Sequence, residues 1–184
     1  MKGCVFFMQK NLYKTKVTVT AALLIALNIV LARFASFQTL SVRISFGFLP
    51  TALCSMLFGP WVGAVSAFLS DFLGMLINSK GMAYFPGYGL SEALYGLTYG
   101  LFLYKQDKSY TRIILCVLVQ AVCIGVGLGS LWNRILYHNP YWTTLLGRLP
   151  STLAMVPVKI FGIRYIWRLL GERVLEPKIL NHSN

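Results

Sequence analysis

Long apolar runs separated by short polar stretches set the pattern of this chain. The runs fall at about 17–34, 46–58, 61–77, 88–104, 113–132 and 149–169. Inside a bilayer no water satisfies backbone N–H and C=O groups, so such runs form helices, whose hydrogen bonds are internal to the segment. Most approach the ~20 residues that a spanning helix needs. The second does not. Its sequence, "RISFGFLPTALCSMLFGP", places Arg43 ahead of 13 residues from Phe46 to Phe58, interrupts them with Gly47 and Pro50, and closes on Gly59 and Pro60. A helix this short suffices only where the protein is thin or where neighbours cover its end. Gly47 and Pro50 are expected at a pocket wall, where irregular backbone is tolerated because it faces protein or ligand. The loop 36–45, carrying Arg43, is expected to fold over that pocket as part of a gate.

Composition narrows the class. Hydrophobic residues make up 57% of the 184 and charged residues 12%, against roughly 25% charged in a soluble domain. The mean hydropathy is +0.65. These values predict an all-α integral membrane protein, a bundle of six transmembrane helices forming a single domain over 1–184, with tails at 1–15 and 171–184. The net charge of +12 does not indicate nucleic acid, because Lys and Arg punctuate the apolar segments instead of gathering on one water-facing surface. Cys54, Cys116 and Cys123 lie inside apolar runs, where cysteine acts as a small hydrophobe, and with Cys4 they show no paired spacing. The stretch "CVFFM" near the start is too short for a secretory h-region and reads as part of a retained tail.

Basic residues predict the orientation. With six spans both termini share a side. That side receives 11 Lys and Arg residues (Lys2, Lys10, Lys14, Lys16, Lys105, Lys108, Arg112, Arg164, Arg168, Arg173, Lys178), while the other receives five (Arg33, Arg43, Lys80, Arg134, Arg148). Lys159 falls inside the sixth segment. Both termini are therefore expected in the cytoplasm of a multi-pass cell-membrane protein. Arg33, Arg43 and Arg148 sit at helix mouths on the outer side, where snorkelling is the ordinary explanation. Arg33 lies 11 positions after Ala22, nearly a whole number of turns, and so is expected on that alanine's face.

The third segment, "GPWVGAVSAFLSDFLG", carries Gly59, Gly63, Ala67, Ser70 and Gly74 on one stripe that admits a close neighbour. Asp71 follows one turn beyond Ala67, and a carboxylate within a span is a candidate functional group or an arginine partner. In "YFPGYGLSEALYGLTYG", Tyr88, Glu92, Tyr95 and Tyr99 form a second stripe at helical spacing. Tyr95 and Tyr99 read as packing; Tyr84, Phe85 and Tyr88, beside a Gly- and Pro-rich loop, are suited to a lid. Trp132 and Asn133 come where the fifth segment reaches the outer surface, Trp132 as an interfacial anchor and Asn133 as a possible partner for a heterocycle edge. Both intramembrane acids, the outer arginines and the aromatics thus share one level. Such a set suits a flat, polar, anionic organic molecule: aromatic faces stack on its ring, acids accept from ring N–H groups, and arginine forks hold its carboxylates. His138 and His182 have no companions at metal-ligand spacing. Nucleophile-elbow, HExxH and Walker A patterns are missing, so the chain has no evident means of hydrolysing ATP, and neither an enzyme nor a cofactor is indicated.

The runs "RISFGFLPTALCSMLFGPWVGAVSAFLSDFLG" and "YFPGYGLSEALYGLTYGLFLY" resemble the folate-specific S component of energy-coupling factor (ECF) vitamin transporters, and the resemblance extends over 16–170. It implies six helices, folate bound near the outer face, and docking onto a membrane coupling subunit joined to two cytoplasmic ATPases. It also implies that Ala22 and Ala26, a small-xxx-small pair in the first segment, form the coupling surface. The positions of Arg33, Arg43, Asp71 and Tyr84-Phe85-Pro86-Gly87 match the family pattern. Taken with the reading of the segments, the residues expected to contact the substrate are Arg33, Phe34, Arg43, Phe46, Asp71, Tyr84, Phe85, Gly87, Tyr88, Glu92, Trp132, Asn133 and Arg148. One departure stands out: where the pattern has Pro-Arg followed by polar residues including glutamine, this chain reads "LLGRLPSTLAMVPV". Three rival readings remain. A riboflavin-like S component would leave arginines unpaired, and a cationic thiamine would meet the wrong charge. An integral-membrane enzyme would use Asp71 and Glu92 as an acid/base or metal pair. A helix-packing protein without a ligand would leave the outer charges unexplained.

Overall fold

A computed structural model describes residues 2–34, 36–38, 43–77, 85–106, 109–137 and 140–169. The elements in order are α1 (Lys2–Arg33), a hairpin of β1 (Ser36–Gln38) and β2 (Arg43–Ser45), α2 (Phe48–Phe58), α3 (Pro60–Ile77), α4 (Pro86–Leu103), α5 (Tyr110–Val119), a π-helical segment (Gln120–Leu128), α6 (Gly129–Tyr137) and α7 (Tyr141–Ile166). α5, the π segment and α6 are continuous in sequence and form the fifth of six rods. The bundle is therefore the expected all-helical one. Four details differ. The stretch 2–15, expected as a tail, is already helical backbone of α1. The fifth rod starts at Tyr110, three residues earlier than expected, and runs on to Tyr137 through a π-helical turn. α7 begins at Tyr141, so Arg148 lies two turns inside a helix and not at its mouth. The loop expected as a gate contains a two-stranded antiparallel ladder, with Phe37 opposite Ile44; residues 171–184 fall outside the described residues.

The short second run has a physical answer. α2 packs against α1, α3, α4 and α7, and Pro50 through Met56 are all buried. A helix apolar all round is an interior helix, and this one needs no full bilayer length because protein surrounds it. Its exit depends on Gly59, whose φ of 95° lies where side chains are disfavoured; Pro60 then opens α3 at the position where its missing N–H costs nothing. Gly47 is buried against α1. A Cβ there would lie 2.7 Å from Asn28 Oδ1 and 2.9 Å from the Ala32 Cβ, so the glycine lets α2 start hard against α1.

Small residues set the closest approach elsewhere. A Cβ on Gly96 would fall 2.3 Å from the Gly63 carbonyl oxygen, and one on Gly100 would fall 2.2 Å from the Pro60 Cα. The backbones of α3 and α4 therefore touch through the glycines of α4. The α3 stripe of Gly59, Gly63, Ala67, Ser70 and Gly74 is buried throughout and admits α2 and α1 instead: a Cβ on Gly63 would fall 2.1 Å from Ser55 Oγ, and one on Gly74 would fall 2.8 Å from Arg33 Nε. The core continues through Leu53, Tyr99, Leu103, Ile113, Cys116 and Ile163. Outward, the bundle is apolar: Leu23 is 70% exposed, Trp61 77%, Leu76 71% and Phe161 69%. Bare apolar faces on most rods are what a lipid-solvated protein presents.

Candidate functional site

The N-terminus of α4 and the end of the fifth rod build an aromatic corner. Pro86 at the first helical turn fixes the chain there, with Phe85 extended as the preceding cap residue. The Phe85 ring meets Trp132 edge-on at 5.5 Å and Tyr88 at 5.8 Å. Trp132 Nε1 donates to Ser91 Oγ at 2.8 Å, and the Ser91 hydroxyl donates to the Gly87 carbonyl at 3.2 Å. The Tyr88 hydroxyl bonds Asn133 Oδ1 at 3.1 Å. Gly87 has to be glycine, because a Cβ there would enter the Phe85 ring at 2.3 Å and the Trp132 indole at 2.9 Å. Thus Phe85, Gly87, Tyr88, Trp132 and Asn133, proposed separately from the sequence, converge in one place.

The charged residues divide into two groups. Arg33 is buried at 7% exposure and is held by Asp71: Nη2 lies 3.1 Å from Oδ1 and 3.3 Å from the backbone carbonyl, with Nη1 3.6 Å from Met75 Sδ. Ala22, whose face Arg33 was expected to share, is exposed. The residual angle after 11 residues and the length of the arginine side chain turn the guanidinium inward over Gly74, where a Cβ would sit 2.8 Å from Nε. A carboxylate buried nearby outweighs the periodicity. Asp71 also faces α4, its Oδ2 lying 3.8 Å from where a Cβ on Gly89 would be.

The second group lies between α4, the fifth rod and α7. Arg148 Nη1 donates to the Gly125 carbonyl across a long 3.4 Å, which leaves most of the guanidinium donors for another partner. That carbonyl belongs to the π-helical segment, whose wider turn misaligns backbone groups and is frequent at functional sites. Gly129 makes room for the same guanidinium, since a Cβ there would fall 2.1 Å from Nη1. The Tyr95 hydroxyl approaches Gly125, and its ring carries Lys159 Nζ at 4.5 Å from the centroid. Glu92, half-buried, is close enough to Tyr95 and Lys159 to interact with both electrostatically.

Not every proposed contact is gathered in. Phe34 is 67% exposed at the end of α1, and Phe46 is half-buried beside the hairpin. Arg43 is placed in β2 by its backbone alone, and Tyr84 lies outside the described residues. Sequence reasoning missed Ser91, which orients Trp132, and gave Lys159 no role, although a lysine inside a span signals function by default. It also missed Asn28, whose Nδ2 donates to Thr51 Oγ1 at 2.7 Å and Ser70 Oγ at 2.9 Å, tying α1, α2 and α3 beneath the Arg33–Asp71 pair. A lone Asn in an apolar run was the available signal. Among the described residues no group of acids, histidines and cysteines could hold a metal.

Residues 16–165 match the family model described as ECF transporter, substrate-specific component. The chain belongs to that family. The S component is 34% identical over 166 residues to the folate transporter FolT of Clostridium novyi (strain NT), covering 90% of this chain and 96% of that one. Among solved structures it superposes on FolT bound with folic acid with a TM-score of 0.76 and 33% identity, over 83% of this chain and 92% of that chain. It also shares the fold of the S component for biotin from an ECF-type transporter, at a TM-score of 0.67 and 19% identity over 89% and 95% of the two chains. Substrate-specific components sit in membranes, consistent with the apolar exterior of the rods.

Proposed function

We propose that this S component binds folate at the end of the bundle where α4 begins, and serves in its uptake. The likeness to folic-acid-bound FolT, over most of both chains, carries the reading. The local chemistry supports it. The Phe85–Trp132 corner offers faces and edges for a pterin, and Glu92 offers an acceptor for its ring N–H groups. Asp71 already gives one oxygen to Arg33, so Glu92 is the acid assigned to the ring. Arg148, with donors to spare, takes a glutamyl carboxylate, and Arg43 on the hairpin takes another. Riboflavin, which has no carboxylate, would leave Arg148 with only its long bond to the Gly125 carbonyl, at a cost of about 1–3 kcal/mol.

The chain acts as a binder and not as an enzyme, since its family supplies the substrate-specific part of a transporter. The site end faces outward and both termini face the cytoplasm, in keeping with the bias of 11 basic residues against five. Transport runs through a membrane coupling subunit and two ATPases. Ala22 and Ala26, both exposed on α1, form a smooth surface for a helix of that subunit. The test is uptake of radiolabelled folic acid in cells lacking their own folate importer. Cells making this chain together with coupling and ATPase subunits are expected to accumulate label; omission of the ATPases is expected to abolish accumulation while leaving surface binding. Absence of both would reject the proposal.

A further inference from the structure

The fifth rod carries a second concave feature, away from the vitamin corner. A groove of about 480 Å³ runs between this rod and the start of α7, lined by Cys123, Gly127, Leu128, Leu131, Arg134 and Tyr141. Cys123, Gly127, Leu131 and Arg134 follow one another along its wall on the fifth rod. The neighbouring Val122 and Ile135 are 66% and 51% exposed. In a membrane-embedded rod such a face meets hydrocarbon, so the groove opens toward lipid. Gly127 gives it depth, because a Cβ there would approach only the Val122 carbonyl oxygen of its own rod, at 3.3 Å.

The groove has one polar end. Arg134 is exposed there beside Tyr141, and Tyr141 packs edge-on at 5.8 Å against Trp142, which is 72% exposed. An exposed Trp beside a half-buried Tyr at the end of a rod marks the headgroup level of a bilayer. A cation therefore stands at the depth of lipid phosphates, directly above an apolar trough. The geometry points to a phospholipid-binding site: one acyl chain lies over Gly127, Leu128 and Leu131, and the Arg134 guanidinium with the Tyr141 hydroxyl holds the phosphate. A guanidinium fork matches phosphate oxygens in shape and charge, and Leu128 and Leu131 give the acyl chain an apolar wall. Neither Trp132 nor Arg148 lines the groove.

The test is native mass spectrometry of the full chain in detergent, titrated with dioleoylphosphatidylglycerol or with dioleoylglycerol, which has the same chains and no phosphate. The expected result is retention of a single phosphatidylglycerol and poor retention of the diacylglycerol. Arg134→Ala is expected to weaken phosphatidylglycerol retention about tenfold, the loss of one hydrogen bond to a charged group. Leu131→Trp, which fills the trough from a position 41% exposed, is expected to weaken retention of the phospholipid without lowering the thermal midpoint. Equal retention of the two lipids, or equal retention of phosphatidylglycerol by the parent and both variants, would overturn the proposal.

Discussion

Replacing Asp71 with alanine strands Arg33 inside the bundle. The two side chains are 6% and 19% exposed and lie 3.1 Å apart, so solvent cannot take over when the carboxylate is removed. The Asp71 backbone carbonyl and Met75 Sδ remain near the guanidinium, but neither carries charge. Breaking a buried pair from one side costs about 3–5 kcal/mol. At about 2–4 °C per kcal/mol for a chain of this size, the thermal midpoint should fall by about 6–20 °C. Scanning fluorimetry of the detergent-purified chain measures this directly. The double variant Arg33→Met with Asp71→Leu removes both charges and keeps the volume, and is expected to recover most of the loss, since buried pairs exchanged for apolar groups are often neutral. A double variant as unstable as Asp71→Ala, or an Asp71→Ala midpoint within about 2 °C of the parent, would refute a buried, energetically coupled pair.

Other outcomes follow from contacts of the same kind. Gly96→Ala drives a methyl into the Gly63 carbonyl and should destabilise by about 1–3 kcal/mol, read as a lower midpoint, because backbone and not a flexible side chain has to move. Arg148→Ala should weaken folic acid binding about 10- to 100-fold, the value of a charge-assisted bond to a carboxylate, measured by isothermal titration. Ala26→Leu, at an exposed position on α1, should leave folic acid binding intact and reduce uptake in the assembled transporter.

How much of this was legible depends on whether the cause was local. The helices follow from apolar runs, and the close packing of α3 on α1 and α2 from the spacing of Gly63, Ala67, Ser70 and Gly74, because small residues at intervals of four and three can only make a smooth face. The aromatic corner was legible too, since Pro86 fixes where α4 begins and Tyr88 and Glu92 then follow by helical period. What could not be read is long-range. Arg33 turns inward because Asp71, 38 residues later, offers a buried charge that no periodicity in α1 encodes. The π-helical turn at Gln120–Leu128 changes the register of the fifth rod and presents the Gly125 carbonyl to Arg148, although the run itself reads as ordinary helix. Gly47 looked like a break facing a ligand; its close approach to Asn28 and Ala32 depends on how α1 crosses α2.

The most direct measurement of the central claim is tryptophan fluorescence of the purified chain titrated with folic acid, with riboflavin and thiamine as controls. Trp61 and Trp142 are exposed to lipid or detergent and Trp167 is buried in the core, whereas Trp132 stands in the aromatic corner, so it should dominate any response. The account predicts saturable quenching at submicromolar folic acid, no response to the other two vitamins, and loss of most of the quenching in Trp132→Phe. Quenching by riboflavin or thiamine in place of folic acid, or no saturable response to any of the three, would contradict a folate site at this corner.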